Sequence, residues 1–289
     1  MNVFLDILSE AAFDTLRLLP FLYLTYLLME YLEDKAQPKT IEFVKRTGRF
    51  GPLAGSLVGI IPQCGFSAAA SSLYAGGVIT VGTLLASFLS TSDEMLPIFI
   101  SEAVPVGTIV KVLLTKVMIA MISGFALDFV NRQLSKKRKD KRERHIHDLC
   151  EQDHCHCEEG NIFLSALVHT IQIALFIFLI SIVIGILVET VGLETIAGFL
   201  NNRPITGVLL AGLVGLIPNC AASVMLTEFY LKGVLGPGQM MAGLLVSAGV
   251  GLLVLFRTHR IVKNIQIMAV LYLTGVFWGF LINMLGITF

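Results

Sequence analysis

The phrase Gly59-Ile60-Ile61-Pro62-Gln63-Cys64-Gly65-Phe66-Ser67 returns 156 residues later as Gly215-Leu216-Ile217-Pro218-Asn219-Cys220-Ala221-Ala222-Ser223. At the same offset, Gly51, Leu53, Leu57, Val58, Tyr74, Gly77, Val78, Ala86 and Leu89 meet Gly207, Leu209, Leu213, Val214, Tyr230, Gly233, Val234, Ala242 and Leu245 without a gap. Apolar composition aligns Leu and Val by chance. It does not put Pro, Cys, Tyr and several Gly in register, so the chain reads as two copies of one unit.

Both copies of the phrase sit inside long apolar runs. Proline removes an N–H and clashes with the turn before it, so each run is expected to be a broken helix whose freed backbone groups need new partners. The setting is hydrocarbon: the chain is 55% hydrophobic and 15% charged, with a mean hydropathy of +0.79 and no formal net charge. That balance excludes an ordinary soluble domain and predicts an integral membrane protein. Irregular backbone is tolerated in a bilayer only where protein buries it or it lines a polar cavity, so two such breaks predict one shared site.

Apolar tracts run over residues 11–32, 52–130 and 162–289, which are helix lengths rather than the alternating ten-residue segments of a barrel. Asp6, Glu10, Asp14 and Arg17 precede the run from Leu18 to Met29, so an uncleaved first span is expected rather than a signal peptide. The tract from Pro52 to Ile100 is too long for one span. Three short spans, or a re-entrant hairpin over Pro52–Gly76 plus one full span, satisfy it equally.

Charge sets the predicted orientation. Lys35, Lys39, Lys45, Arg46 and Arg49 make the loop from Glu33 to Phe50 basic, while its counterpart Glu189 to Thr206 has only Arg203. Conversely, Ser101 to Gly107 has no Lys or Arg, and its counterpart holds Arg257, Arg260 and Lys263. Basic loops stay in the cytoplasm, so the halves should lie antiparallel across the membrane, with an odd number of crossings each. The predicted fold is all-α, with about ten transmembrane helices in two inverted-topology repeats and broken helices at the midplane. The expected divisions are a first five-helix repeat over 1–130, a basic His/Cys-rich cytoplasmic linker over 131–160, and an inverted second repeat over 161–289. The chain is expected in the cell (inner) membrane with both termini outside.

Three groups of residues can carry chemistry. Gln63, Cys64 and Ser67 from one half and Asn219, Cys220 and Ser223 from the other are expected to converge on one solute site. A thiol from each half suits a thiophilic metal or trivalent metalloid better than a hard cation, although a cysteine at a helix crossing also serves as a small hydrophobe. Asp93-Glu94 lies past the middle of the run from Thr80 to Ile100. Each such carboxylate costs about 2.5–3.5 kcal/mol near a bilayer centre, so the pair is expected to bind a proton or coupling ion, with Lys111 and Lys116 as candidate partners. At a span end, in water, the same pair carries nothing. The third group is His145, His147, Cys150, His154, Cys155, His156 and Cys157. It can collect a borderline or soft metal, but it has no zinc-finger spacing and can equally be a solvated linker. The cysteines form no disulfide framework, and His169 and His259 read as interfacial.

No Gly-x-x-x-x-Gly-Lys-Ser/Thr occurs, which argues against ATP use through that motif, and no cofactor is required beyond a metal held in the linker or carried as substrate. The basic run before the linker reads as a topology signal and lipid contact, not a nucleic-acid patch. Paired breaks in repeated halves point to a secondary transporter, and a membrane-embedded enzyme lacks a visible nucleophile–base pair. The expected partners are therefore a small inorganic or organic solute and the lipid bilayer; oligomeric state is not written in the sequence.

With Pro62-Gln63-Cys64-Gly65, Ser90-Thr91-Ser92-Asp93-Glu94-Met95-Leu96-Pro97 and Pro218-Asn219-Cys220 in view, the chain resembles, over nearly its full length, the ten-transmembrane heavy-metal exporter family, often labelled arsenic efflux or manganese transporter. The resemblance implies efflux of a metal, metalloid or related solute. The labels point in different directions: thiols suit arsenic or a soft metal, Asp93, Glu94 and Glu102 suit manganese or protons, and amides and hydroxyls suit an organic anion.

Overall fold

The computed structural model describes residues 50–61, 64–92, 95–137, 204–258 and 261–289, together with separate positions between 7 and 27 and between 163 and 186, all helical. The first series of helices is α1 (Gly51–Val58), α2 (Cys64–Ala75), α3 (Val81–Ser90), α4 (Met95–Ser101) and α5 (Val106–Lys137). The second is α6 (Pro204–Gly215), α7 (Cys220–Leu231), α8 (Pro237–Val246), α9 (Val250–Thr258) and α10 (Ile261–Leu285). A shift of 156 residues carries α2 onto α7 and α3 onto α8 residue for residue, and the starts of α1, α4 and α5 to within one to three residues of those of α6, α9 and α10. Among the described residues there is no strand.

Local chemistry explains the boundaries. Pro52 opens α1 and Pro237 opens α8, where a missing N–H costs nothing. α2 and α7 stop in the same way: Gly77 and Gly233 take φ of +73° and +72°, a conformation open to glycine. The Val78 amide then reaches the Leu73 carbonyl at 2.9 Å, and the Val234 amide reaches Phe229 at 2.8 Å. At the N-terminus of α3, Thr80 Oγ1 accepts from the Thr83 amide at 3.1 Å and donates to Asp128 Oδ2 at 2.7 Å. Asp128, on α5, also accepts from the Gly82 amide at 2.9 Å, so an acid from a neighbouring helix completes the cap.

The packing repeats as faithfully as the elements. α3 packs against α5 and α1, as α8 packs against α10 and α6. The halves also interlock: α2 of the first lies along α9 of the second, α7 of the second contacts α4 of the first, and α3 touches α8 at the centre. Every residue from Gly82 to Ser90 and from Gly238 to Val246 is buried, so α3 and α8 form the middle of the molecule.

Among the described residues, three stretches are long and apolar enough to cross a membrane: Val106–Gln133, Pro237–Arg257 and Ile261–Leu285. Protein covers 94% of the most apolar window of the second, against 39% and 33% for the other two, so α5 and α10 form the outer wall. Leu114, Met118 and Ile122 on α5, and Ile265, Leu273 and Phe277 on α10, expose large apolar side chains. Such a wall is matched by lipid rather than water, and the chain is a membrane protein.

Candidate functional site

In each half the repeated phrase runs from the end of one helix into the start of the next. After α1, the Ile60 and Ile61 amides bond three residues back, to Leu57 at 3.4 Å and Val58 at 3.2 Å; after α6, Leu216 and Ile217 do the same with Leu213 at 3.2 Å and Val214 at 3.0 Å. The last turn tightens in both before the chain leaves it. Cys64 and Cys220 are the first residues of α2 and α7. Pro62 and Gln63 lie outside the described residues, whereas Asn219 is half-buried in the bend before α7.

A second interruption occurs further along each half, within stretches that read as continuous in sequence. α3 stops at Ser90, Thr91 takes φ −53° and ψ 126°, and helix resumes at Met95. α8 stops at Val246, Ser247 has ψ 91°, Gly249 has φ +52°, and α9 begins at Val250. Hydroxyls promote the first stop. Ser90 Oγ donates to Ala86 at 2.9 Å and Thr91 Oγ1 to Ser87 at 2.8 Å, which draws carbonyls away from the helical ladder.

Hydroxyls also tie the two interruptions of the first half together. Ser92 Oγ donates to the Ile60 carbonyl at 2.6 Å, so the turn of the repeated phrase is fixed to the Thr91–Ser92 segment. Gly59 makes this approach possible, since a Cβ there would stand 2.7 Å from the Ser87 carbonyl oxygen.

Lys116 reaches the same place from α5. Its side chain is 1% exposed, and its Nζ donates to the carbonyls of Thr91 and, at 3.2 Å, Leu244 in the last turn of α8. Lys111, one and a half turns earlier, is exposed. Asp93 and Glu94 lie outside the described residues, and Glu102 is exposed in the turn after α4.

Ser67 and Ser223 are both buried, on helices that lie against different neighbours. Ser67 faces Gly251 of the second half, where an added Cβ would stand 2.8 Å from that of Ser67. Ser71, one turn on, donates to the Gly251 carbonyl at 2.6 Å and to the Ser67 carbonyl at 3.0 Å. Ser223 sits on α7, whose neighbours are α8, α4 and α6, and its carbonyl accepts from Thr227 Oγ1 at 2.7 Å. The interior thus gathers Ser90, Thr91, Ser92 and Lys116 around the stop after α3, while Ser67 and Ser71 meet Gly251 of the second half. Sequence alone singles out Ser67 and Lys116 as candidates and Ser90-Thr91-Ser92 only within the family resemblance; it gives the hydroxyls of Ser71, Ser90 and Ser92 no role. The Ser71-Ser72 and Ser90-Thr91-Ser92 clusters in apolar surroundings were the signal available.

Among the described residues, no three His, Cys, Asp or Glu side chains form a group able to hold a metal ion. The linker residues His145, His147, Cys150, His154, Cys155, His156 and Cys157 lie outside them. An apolar cleft of about 280 Å³ between α5 and α10, lined by Leu114, Met118, Trp278 and Leu285, contains no charged group.

The family described as "Putative, 10TM heavy-metal exporter" matches residues 3–196. The match takes in the first phrase, the Ser90–Pro97 segment and the linker, and ends before the second phrase, so it is shorter than the near-complete likeness expected from the motifs. No curated protein and no solved structure matches the chain. The chain belongs to this ten-transmembrane heavy-metal exporter family of transporters.

Proposed function

We propose that the chain is a secondary-active carrier that exports a heavy metal or metalloid by alternating access, with Asp93 and Glu94 carrying the coupling proton. The observation that supports this reading most is the recurrence of two interruptions per half at one offset, with α2 and α7 each laid against the other half. Carriers of this kind hold solute where half-helix ends and freed backbone groups meet, and rocking of one repeat against the other opens the site to either side. In this reading the halves are inverted repeats, the phrases break their helices near the midplane, and Gln63, Cys64, Ser67, Asn219, Cys220 and Ser223 line the route. The membrane is the inner one, the linker is cytoplasmic and gathers metal, and both termini are outside. The short lengths of α1 and α2, about 12 Å and 18 Å, favour a re-entrant hairpin followed by one interrupted span over α3 and α4.

A second reading, an organic-anion carrier, is favoured by one observation: the described polar side chains around the first-half interruptions are hydroxyls and the Lys116 ammonium. Such groups hold carboxylates better than soft ions. A binding screen on purified protein separates the two, comparing arsenite, divalent metals and small organic anions on wild type and on Cys64→Ser/Cys220→Ser. Loss of arsenite or soft-metal binding in the double variant supports thiol ligation. Equal binding of an organic anion by both proteins, with no metal or metalloid response, replaces the metal reading by the organic one.

A further inference from the structure

α3 and α8, which correspond residue for residue, both end beside Lys116. A helix C-terminus carries about half a negative charge, and its last four carbonyls have no partner within the helix. Thr91 caps α3 and Leu244 lies in the last turn of α8, so one ammonium serves the ends of both helices and bridges the two halves. The ammonium is supplied once: the residue of α10 at the position of Lys116 is Tyr272, whose hydroxyl donates instead to the Leu209 carbonyl at 3.2 Å, at an exposed site. Among the described residues Lys116 is the one lysine or arginine whose side chain is buried.

Two helix C-termini facing one another inside a membrane protein make a cation site, because carbonyl dipoles without solvent attract positive charge and carriers with interrupted helices bind coupling cations in this way. We propose that the Lys116 ammonium is a tethered cation occupying such a site, and that removing it leaves a site for a small monovalent cation. This deepens the transport reading and rests on it for its purpose: a carrier with a built-in cation holds its two halves in register without drawing an ion from solution. α1, α3, α4 and α8 bring no ionisable side chain to the centre, while Asp93 and Glu94, which follow Thr91 and Ser92, lie outside the described residues. The test therefore treats the two carboxylates explicitly.

Thermal unfolding of the purified full chain is measured in equal concentrations of sodium, methylammonium and choline chloride, with no solute added. Wild type is expected to melt at one temperature in all three salts. Lys116→Ala is expected to melt lower in choline and to recover by about 2–4 °C in methylammonium or sodium, as a ligand bound only to the folded state requires. A variant with no preference among the salts overturns the proposal. The same recovery in an Asp93→Asn/Glu94→Gln background assigns the cation to the carbonyl ends; loss of the recovery there gives it to the carboxylates and overturns the assignment. If Lys116→Ala does not fold, Lys116→Met and Lys116→Arg decide. Arg should melt near wild type and Met well below it, whereas Met equal to wild type overturns a cation requirement. Because no solute enters the assay, a failed flux measurement would remove the carrier reading and leave this result standing.

Discussion

The Ser71 hydroxyl donates to the backbone carbonyl of Gly251 at 2.6 Å, across 180 residues of chain, and both groups are buried. The bond fastens α2 to α9 and so one half to the other. Ser71→Ala removes this bond and leaves the Gly251 carbonyl to the α9 ladder alone, which should cost about 0.5–1.5 kcal/mol. Gly251→Ala should cost ~1–3 kcal/mol through overpacking against Ser67 and Phe88, whose Cε1 would lie 2.9 Å from the new methyl group. Denaturant unfolding of both variants checks this, and wild-type stability in either would mean that the α2–α9 contact does not hold the halves.

Asp128 should act as a cap at a distance. Asp128→Ala removes the acceptor for the Gly82 amide and for Thr80 Oγ1, with an expected loss of about 1–2 kcal/mol. Asp128→Asn keeps one acceptor oxygen and should lose less. Amide exchange at Gly82 is the local readout: it should quicken in the alanine variant, and unchanged protection would place the start of α3 under some other control.

Coupling is tested by flux. Asp93→Asn and Glu94→Gln in proteoliposomes should each abolish the dependence of transport on a pH gradient while leaving the protein folded. Undiminished pH-driven flux in both would reduce the pair to a structural role.

Topology is tested by labelling. Cys155 should react with a membrane-impermeant thiol reagent only after cells are opened, as a cytoplasmic linker demands. Reaction in intact cells would reverse the proposed orientation.

Some of this architecture was legible at once. Pro62 and Pro218 announce that a helix cannot run through the phrase, and the chain does leave helix just before each. The register of Tyr74, Gly77 and Val78 with Tyr230, Gly233 and Val234 anticipated the shared end of α2 and α7, because a glycine after a helix has one common use. The stop after Ser90 was harder to see. Serine and threonine occur inside membrane helices as well as at their ends, and only the path of the Ser90 and Thr91 hydroxyls back to Ala86 and Ser87 distinguishes the two. The role of Lys116 was half visible. A lysine in an apolar run asks for a negative partner; the carbonyls of Thr91 and Leu244 that accept from it have no signature in the alphabet of side chains, and the expected partners Asp93 and Glu94 lie outside the described residues.

The interlocking of α2 with α9 also bears on biogenesis. At ordinary elongation rates, about ten to forty seconds separate the synthesis of Ser71 from that of Gly251. Throughout that interval the hydroxyl-bearing face of α2 must wait in the membrane without its docking partner. The bond from Ser71 back to the Ser67 carbonyl of its own helix, at 3.0 Å, can satisfy the hydroxyl in the meantime. A nascent first half is thus chemically tolerable to lipid before it is structurally complete, and the ribosome has time to deliver the rest.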